Sequence, residues 1–202
     1  MPVHKRNVAY FDTPGFANTN SVIEGVRERL KVGDIEAVVV PATTGKTAEL
    51  FARDLKDTGN VVTISENEAI SACKRIAYQD KGLLGRLIQK RMESAAEDVQ
   101  RKLRREALDM TFLPFCGETY TAVSEILYAF GQGMKVAVEV SVAAVEVGKV
   151  RPYSKIIAVG GTGEGADTAI VARASPQNQA FGKDPRKRLS IQEIIAMPTE
   201  KL

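Results

Sequence analysis

The chain has 202 residues, 44% of them hydrophobic and 26% charged, with a formal net charge of +3. These are values of an ordinary globular protein of about one domain, and a charge that small gives no argument for nucleic-acid binding. His4 is the single histidine and Cys73 and Cys116 are the only cysteines, which excludes Ser-His-Asp and Cys-His catalysis, histidine-built zinc sites and a disulfide framework.

There is no run of about 18 apolar residues and no signal-peptide pattern, so a cytoplasmic protein without a membrane partner is expected. Aromatic residues are few and Trp is absent, so base stacking is not an evident feature and no nucleic-acid partner is expected.

Residues 7–11 (NVAYF) read as a short buried strand, and 12–15 (DTPG) as turn chemistry. Asn18 or Thr19 can cap a helix running to about Lys31, with Val22, Val26 and Leu30 on one stripe. A second strand is expected at 35–40, a second helix at 46–57 and a third strand at 59–65. This β-α-β-α-β order argues for a parallel sheet with right-handed crossovers.

Leu84, Ile88, Met92, Ala95, Val99 and Leu103 then recur at spacings of three and four, predicting an amphipathic helix over about 84–108. Eight basic and five acidic residues lie between 81 and 109. They read as a solvated face with i,i+4 pairs, or as a basic docking or oligomer surface.

A fourth strand is expected at 111–115 (TFLPF), then a turn and cap at 116–119 and a helix to about Phe130. Gly131 and Gly133 interrupt it. Residues 134–147 read as a second apolar helix closed by Gly148, because 14 residues without a turn signal is long for a strand. Strands follow at 155–159, 169–174 and 191–197, with too little chain between the last two for a crossover helix, so the C-terminal part should add antiparallel strands. Residues 185–188 (PRKR) fall in a polar loop. No linker or repeat interrupts 1–202, so one domain is expected.

The stretch 38–50 (VVVPATTGKTAEL) ends like a phosphate-binding P-loop, but position 40 is Val40 rather than glycine, and Pro41 has no N–H to offer. No second strand ends in the Asp that would hold Mg²⁺ in such an enzyme. What survives is strand, polar turn and helix N-terminus, a generic anion site, with hydroxyls from Thr43, Thr44 and Thr47 and a positive charge from Lys46. Taken singly, such threonines are ordinary caps and such a lysine an exposed first-turn residue.

Residues 160–168 (GGTGEGADT) put Gly160, Gly161, Gly163 and Gly165 directly after a strand, where backbone can approach a ligand. Gly161, Gly163 and Ala166 fit G-x-G-x-x-A, but a strand rather than a helix follows, which argues against a Rossmann unit. Two readings stay open: a tight turn with no ligand, or a phosphate cradle shared with 43–47. In a parallel α/β sheet both loops lie outside the carboxyl ends of the strands, where ligands bind. Asp167 could order the second loop or bind a ligand hydroxyl. Glu139, in the apolar run VAVEVSV at 136–142, is either a buried carboxylate with a raised pKa or part of a polar stripe with Lys135 and Glu146. Cys116, ahead of a helix start, is an activated or an inert thiol.

The segment 38–65 (VVVPATTGKTAELFARDLKDTGNVVTIS) resembles the C-terminal domain of pyruvate kinases, where a strand leads into a Thr/Ser-Gly-Lys/Arg-Ser/Thr turn and an A-x-x-x-A-R helix. In allosteric members that turn holds a phosphate of a sugar bisphosphate effector, and the matching positions are Thr43, Thr44, Gly45, Lys46 and Thr47. The pieces YFDTPGFANT (10–19), IAVGGTGEGADTAIV (157–171) and EIIAMP (193–198) are similar to a mainly archaeal family of stand-alone domains of that fold. With the helix around 133–148 they span most of the chain.

The resemblance implies a three-layer α/β/α fold with a mixed, mainly parallel sheet and antiparallel strands at its C-terminal end. It also implies an association with FMN. The catalytic barrel of pyruvate kinase has no counterpart here, so kinase activity is not expected. The expected ligand-binding set is Asn18, Thr19, Thr43, Thr44, Gly45, Lys46, Thr47, Gly160, Gly161, Thr162, Gly163, Gly165, Asp167 and Thr168. The expected ligand is FMN or a nucleotide or sugar phosphate, held by a homo-oligomer. The alternatives are an enzyme on a phosphorylated metabolite using Lys46, Asp167 or Glu139, and an oligomerising regulatory module. No metal site and no specific reaction follow from the residues.

Overall fold

The structure, a computed structural model, describes residues 5–43, 45–65 and 118–201. The predicted helix at 84–108, the predicted strand at 111–115, Thr44, Cys73 and Cys116 lie outside these residues. The described elements, in chain order, begin with β1 (Ala9–Phe11), a single 3-10 turn (Phe16–Asn18), α1 (Thr19–Leu30), β2 (Val38–Pro41), α2 (Lys46–Leu55) and β3 (Val61–Ile64). They continue with α3 (Glu118–Tyr128), α4 (Gln132–Glu146), β4 (Lys155–Gly160), β5 (Thr168–Arg173), a one-turn α5 (Gln177–Ala180) and β6 (Ser190–Pro198).

The six strands form one mixed sheet in the order β1-β6-β5-β4-β2-β3. The β1–β6, β2–β3 and β2–β4 pairs are parallel, and β5 is antiparallel to both β4 and β6. The antiparallel strands sit where the short connections at the C-terminal end require them. Chain order and sheet order differ: β1 lies at the edge beside β6, with three strands between it and β2. Thr199 then ties this corner, its N–H and its hydroxyl both donating to the Phe11 carbonyl at 2.7 and 3.0 Å.

The central strands are apolar on both faces, as a sheet covered on both sides must be. Alternate residues go to opposite layers. Val38, Val40, Ile157, Val159, Ala169 and Val171 pack with Val22, Ile23 and Val26 of α1 and with Phe51 and Leu55 of α2. Val39, Ile156, Ala158, Ile170 and Ala172 pack with Met134, Ala137, Val138 and Val140 of α4. The architecture is therefore α/β/α, with α1 and α2 over one face and α4 over the other. Helix α4 approaches β4 closely enough that a Cβ on Gly160 would meet the Gly133 carbonyl oxygen at 1.9 Å.

One buried clamp fastens α1 to the sheet. The Arg29 guanidinium donates to Glu193 of β6 at 2.7 and 2.9 Å and to Asp34 at 2.7 and 3.2 Å, and Lys155 adds a bond to Asp34 at 2.8 Å. These partners hold the Asp34 and Glu193 carboxyls below their usual range. Predicted and observed boundaries agree within a few residues. The second strand starts at Val38 rather than 35; ahead of it the Glu36 N–H donates to the Lys155 carbonyl of β4 at 2.8 Å and the Glu36 carboxylate accepts from Arg151 at 2.9 Å.

Candidate functional site

The parallel strand pairs put the carboxyl ends of β1, β2, β3, β4 and β6 at one edge of the sheet. Three loops gather there: 12–18 after β1, the turn holding 42, 43 and 45 after β2, and 161–167 between β4 and β5. Helices α1, α2 and α4, of 12, 10 and 15 residues, all begin at this edge, and none carries a side-chain N-cap bond. Their first-turn N–H groups have no partner within the helix, so the edge is rich in donors and favours negative charge.

Asp167 organises two of the loops. It is fully buried, and its carboxylate accepts from the Gly15 N–H at 3.0 Å, the Thr162 N–H at 2.9 Å and the Thr168 hydroxyl at 2.8 Å. Of its two sequence readings, ordering the loop is the one the geometry displays. Thr19 makes the second tie: its hydroxyl donates to the Phe16 carbonyl at 2.7 Å and accepts from the Ala166 N–H at 3.0 Å. Asn18 donates to the Thr13 carbonyl at 2.8 Å. The side chains of Asn18, Thr19, Asp167 and Thr168 thus shape the edge while their polar atoms are engaged within the protein.

The glycines divide in the same way. Gly160 and Gly161 are packed against backbone, the first by Gly133 of α4 and the second by the Gly165 carbonyl, and Gly165 is pressed by Phe16 and Thr19. Gly45 and Gly163 instead have φ of 84° and 72° with open space where a Cβ would stand. These two glycines are needed for their backbone conformation and leave the surface beside them accessible to a ligand.

The loops after β2 and β4 meet. Lys46 Nζ lies 3.7 Å from Glu164 Oε1, with both side chains largely exposed. Gly45, Lys46, Thr43 and Gly163 reach solvent, and Thr47 and Thr162 are half-buried. Phe16 is 56% exposed beside Gly165 and adds an apolar plane. Phe16 and Glu164 were not among the predicted site residues. A lone aromatic in a turn and an acid inside a glycine run carry little signal before the loops are seen together.

Glu139 lies elsewhere. Gly133 and Ala137 of α4 face β4, so Lys135 and Glu139 fall on the side of the helix turned away from the sheet, at about 100° per residue. Both are buried, at 2% and 0% exposure, with Lys135 Nζ 3.0 Å from Glu139 Oε1. Tyr128 places its ring 5.5 Å from the ammonium. Burial pushes the Glu139 carboxyl up from 4.5 to about 7, against the lowering effect of Lys135. Both sequence readings describe part of this: the carboxylate is buried, and Lys135 is its partner. Glu146 is engaged separately, accepting from the Gln177 N–H at 2.6 Å.

No known family model matches the chain. Among the described residues, no helix is long and apolar enough to cross a membrane.

Proposed function

We propose that the carboxyl edge of the sheet binds the phosphate of a small molecule, with FMN as the leading candidate and a nucleotide or sugar phosphate as the alternatives. The observation that carries this reading is the meeting of two loops, each bearing a glycine at positive φ beside open space, at the N-terminus of α2. The phosphate would be held by the first-turn N–H groups of α2, the Lys46 ammonium and the hydroxyls of Thr43 and Thr47. Glu164 would give up its contact with Lys46, a loss of little free energy because exposed pairs contribute only ~0–1 kcal/mol.

The residues fit FMN in two respects: donors for the phosphate, and the exposed Phe16 plane for a flat ring. Bound there, FMN would supply hydride or one-electron chemistry. Lys46 is the one residue of the enzymatic reading that reaches solvent at this edge. Asp167 is engaged by three donors, and Glu139 is buried on the far side of α4. The small-molecule-binding reading therefore stands ahead of the enzymatic one.

The test is native mass spectrometry of freshly purified protein, followed by titration with FMN, sugar bisphosphates and nucleotides. Lys46→Ala should weaken the responding ligand by about tenfold, as expected for one charged hydrogen bond. Glu164→Gln should tighten it a few-fold by freeing Lys46. If no phosphorylated compound binds, or if both variants bind as the parent does, this edge is not the phosphate site.

A further inference from the structure

The opposite edge of the sheet carries a second surface, one strand-length from the phosphate-binding turns, or roughly 20 Å at ~3.3 Å per residue. There β5 ends at Arg173 and β6 begins at Ser190. The chain between them passes through α5 and a basic loop whose backbone is held from several sides. The Arg173 guanidinium donates to the carbonyls of Pro185 and Arg188, the latter at 3.1 Å. The Ser175 hydroxyl donates to the Lys187 carbonyl at 2.6 Å, and Asp184 accepts from the Arg186 N–H at 2.9 Å. The loop is fixed, while the side chains of Lys183, Arg186, Lys187 and Arg188 stand in solvent.

Residues 173–188 hold five basic side chains against Asp184, a net charge of +4, whereas the chain as a whole is +3, so all the other residues together sum to −1. Net charge alone gives no hint of this corner because acidic residues elsewhere cancel it. A field of one sign on one fixed surface is an electrostatic footprint for a polyanion.

A second observation lies against it. The turn at 151–154 is bonded to this segment: the Tyr153 N–H donates to the Ala174 carbonyl at 2.8 Å, and the Ala174 N–H donates to the Ser154 carbonyl at 2.9 Å. Tyr153 has φ 67°, the one positive value at a non-glycine position among the described residues, and the residue is 39% exposed. Its hydroxyl donates to Gln179 of α5, which sets the direction of the ring. A bulky residue in this backbone region is strained, and strain of this kind collects at functional positions.

We propose that this corner docks single-stranded nucleic acid, with Lys183, Arg186, Lys187 and Arg188 along the phosphates and the Tyr153 ring stacked on a base. An aromatic plane beside a basic track suits an unpaired strand, whose bases can be splayed onto the ring, and not a duplex, whose base faces are covered. The fixed loop lowers the ordering cost of binding.

The experiment measures fluorescence polarisation of a labelled 20-nucleotide single-stranded RNA of mixed sequence with the full chain, from low to high salt. Binding should weaken with a log–log salt slope of about −2 to −3, the value for three or four phosphates on a single strand. The combined variant K183Q/R186Q/K187Q/R188Q should lose at least tenfold in affinity and most of the slope. Tyr153→Gly, which suits the backbone conformation, should keep its thermal midpoint near that of the parent while binding falls severalfold. Absence of binding at low salt would overturn the proposal, and so would variants that bind as the parent does. Binding to phosphatidylserine vesicles that the RNA does not compete away would likewise overturn it.

Discussion

Asp167 shows how one side chain can look like a ligand group and act as a joint. It follows a glycine loop, as a ligand-binding acid does, but its carboxylate joins the loop after β1 to the loop after β4 through three donors. Removing it leaves two half-buried N–H groups without their acceptor, at ~1–3 kcal/mol each less any relaxation or rehydration. Asp167→Ala should therefore lower unfolding free energy by about 2–4 kcal/mol in urea titration and weaken phosphate binding through loop disorder. Glu139 makes a different prediction. Its folded-state value is raised from 4.5 to about 7, so the native state holds the proton more tightly than the unfolded chain. Its contribution is fully present below about pH 4.5 and is lost as pH rises toward 7. Stability measured across that window should decline by ~1–3 kcal/mol from this group, and Glu139→Gln should remove that decline. An identical pH profile in the variant would show that the carboxyl is not buried as described.

Among the helix–strand pairs, α4 and β4 are coupled most tightly, because the two glycines let helix backbone rest on strand backbone. A methyl group on Gly160 would lie 1.9 Å from the Gly133 carbonyl oxygen and 2.8 Å from the Ala137 nitrogen. Neither is a side chain that can swing aside, so the helix must shift as a unit. Gly160→Ala should cost about 3 kcal/mol or more, at the upper end of overpacking, measured as a fall in the urea midpoint with an unchanged slope. Helix α2 is fixed more lightly, by Phe51 and Leu55 in the core and by the left-handed Gly45 ahead of its first turn. That leaves its N-terminal residues available to a ligand. The glycine-rich sequence at 160–165 reads as one feature, but the structure separates it into packing glycines and one open position. Sequence spacing could not make that separation, because it depends on how near α4 and the loop after β1 come.

At the scale of the molecule, α/β/α layering explains why α4 is buried almost all round. Its sheet-facing residues are small, and its outer residues include a lysine and a glutamate that are nonetheless buried. Such a pair is no clear gain in stability, since desolvation offsets attraction. Glu139→Leu alone should cost about 3–5 kcal/mol by leaving Lys135 buried without its partner. The double replacement Lys135→Met and Glu139→Leu should recover most of that loss, measured by thermal unfolding of the three proteins. A double variant as unstable as the single one would point to a specific requirement for charge at this place.

Apart from the 3-10 turn at Phe16–Asn18 and the one-turn α5, which carry no periodic signal, the order and kind of the described elements were legible in the sequence. Val38–Val40 and Ile156–Val159 are apolar without interruption, and Val22, Val26 and Leu30 repeat with helical spacing, so local period and turn chemistry were enough. Antiparallel pairing of the last strands followed from short connections, a matter of chain length. The fold determined three things that no local pattern contains. It placed β6 between β1 and β5, which brings Thr199 to Phe11 and sets β1 at an edge. It engaged Asp167 and Thr19 within the protein while leaving Lys46 and Gly163 open. It also set the turn bearing Tyr153 against the basic loop at 183–188. Each depends on contact between residues far apart in the chain, and such contact is decided by how the layers pack. Secondary structure follows from neighbours in sequence, whereas the chemistry a side chain can offer follows from its neighbours in space.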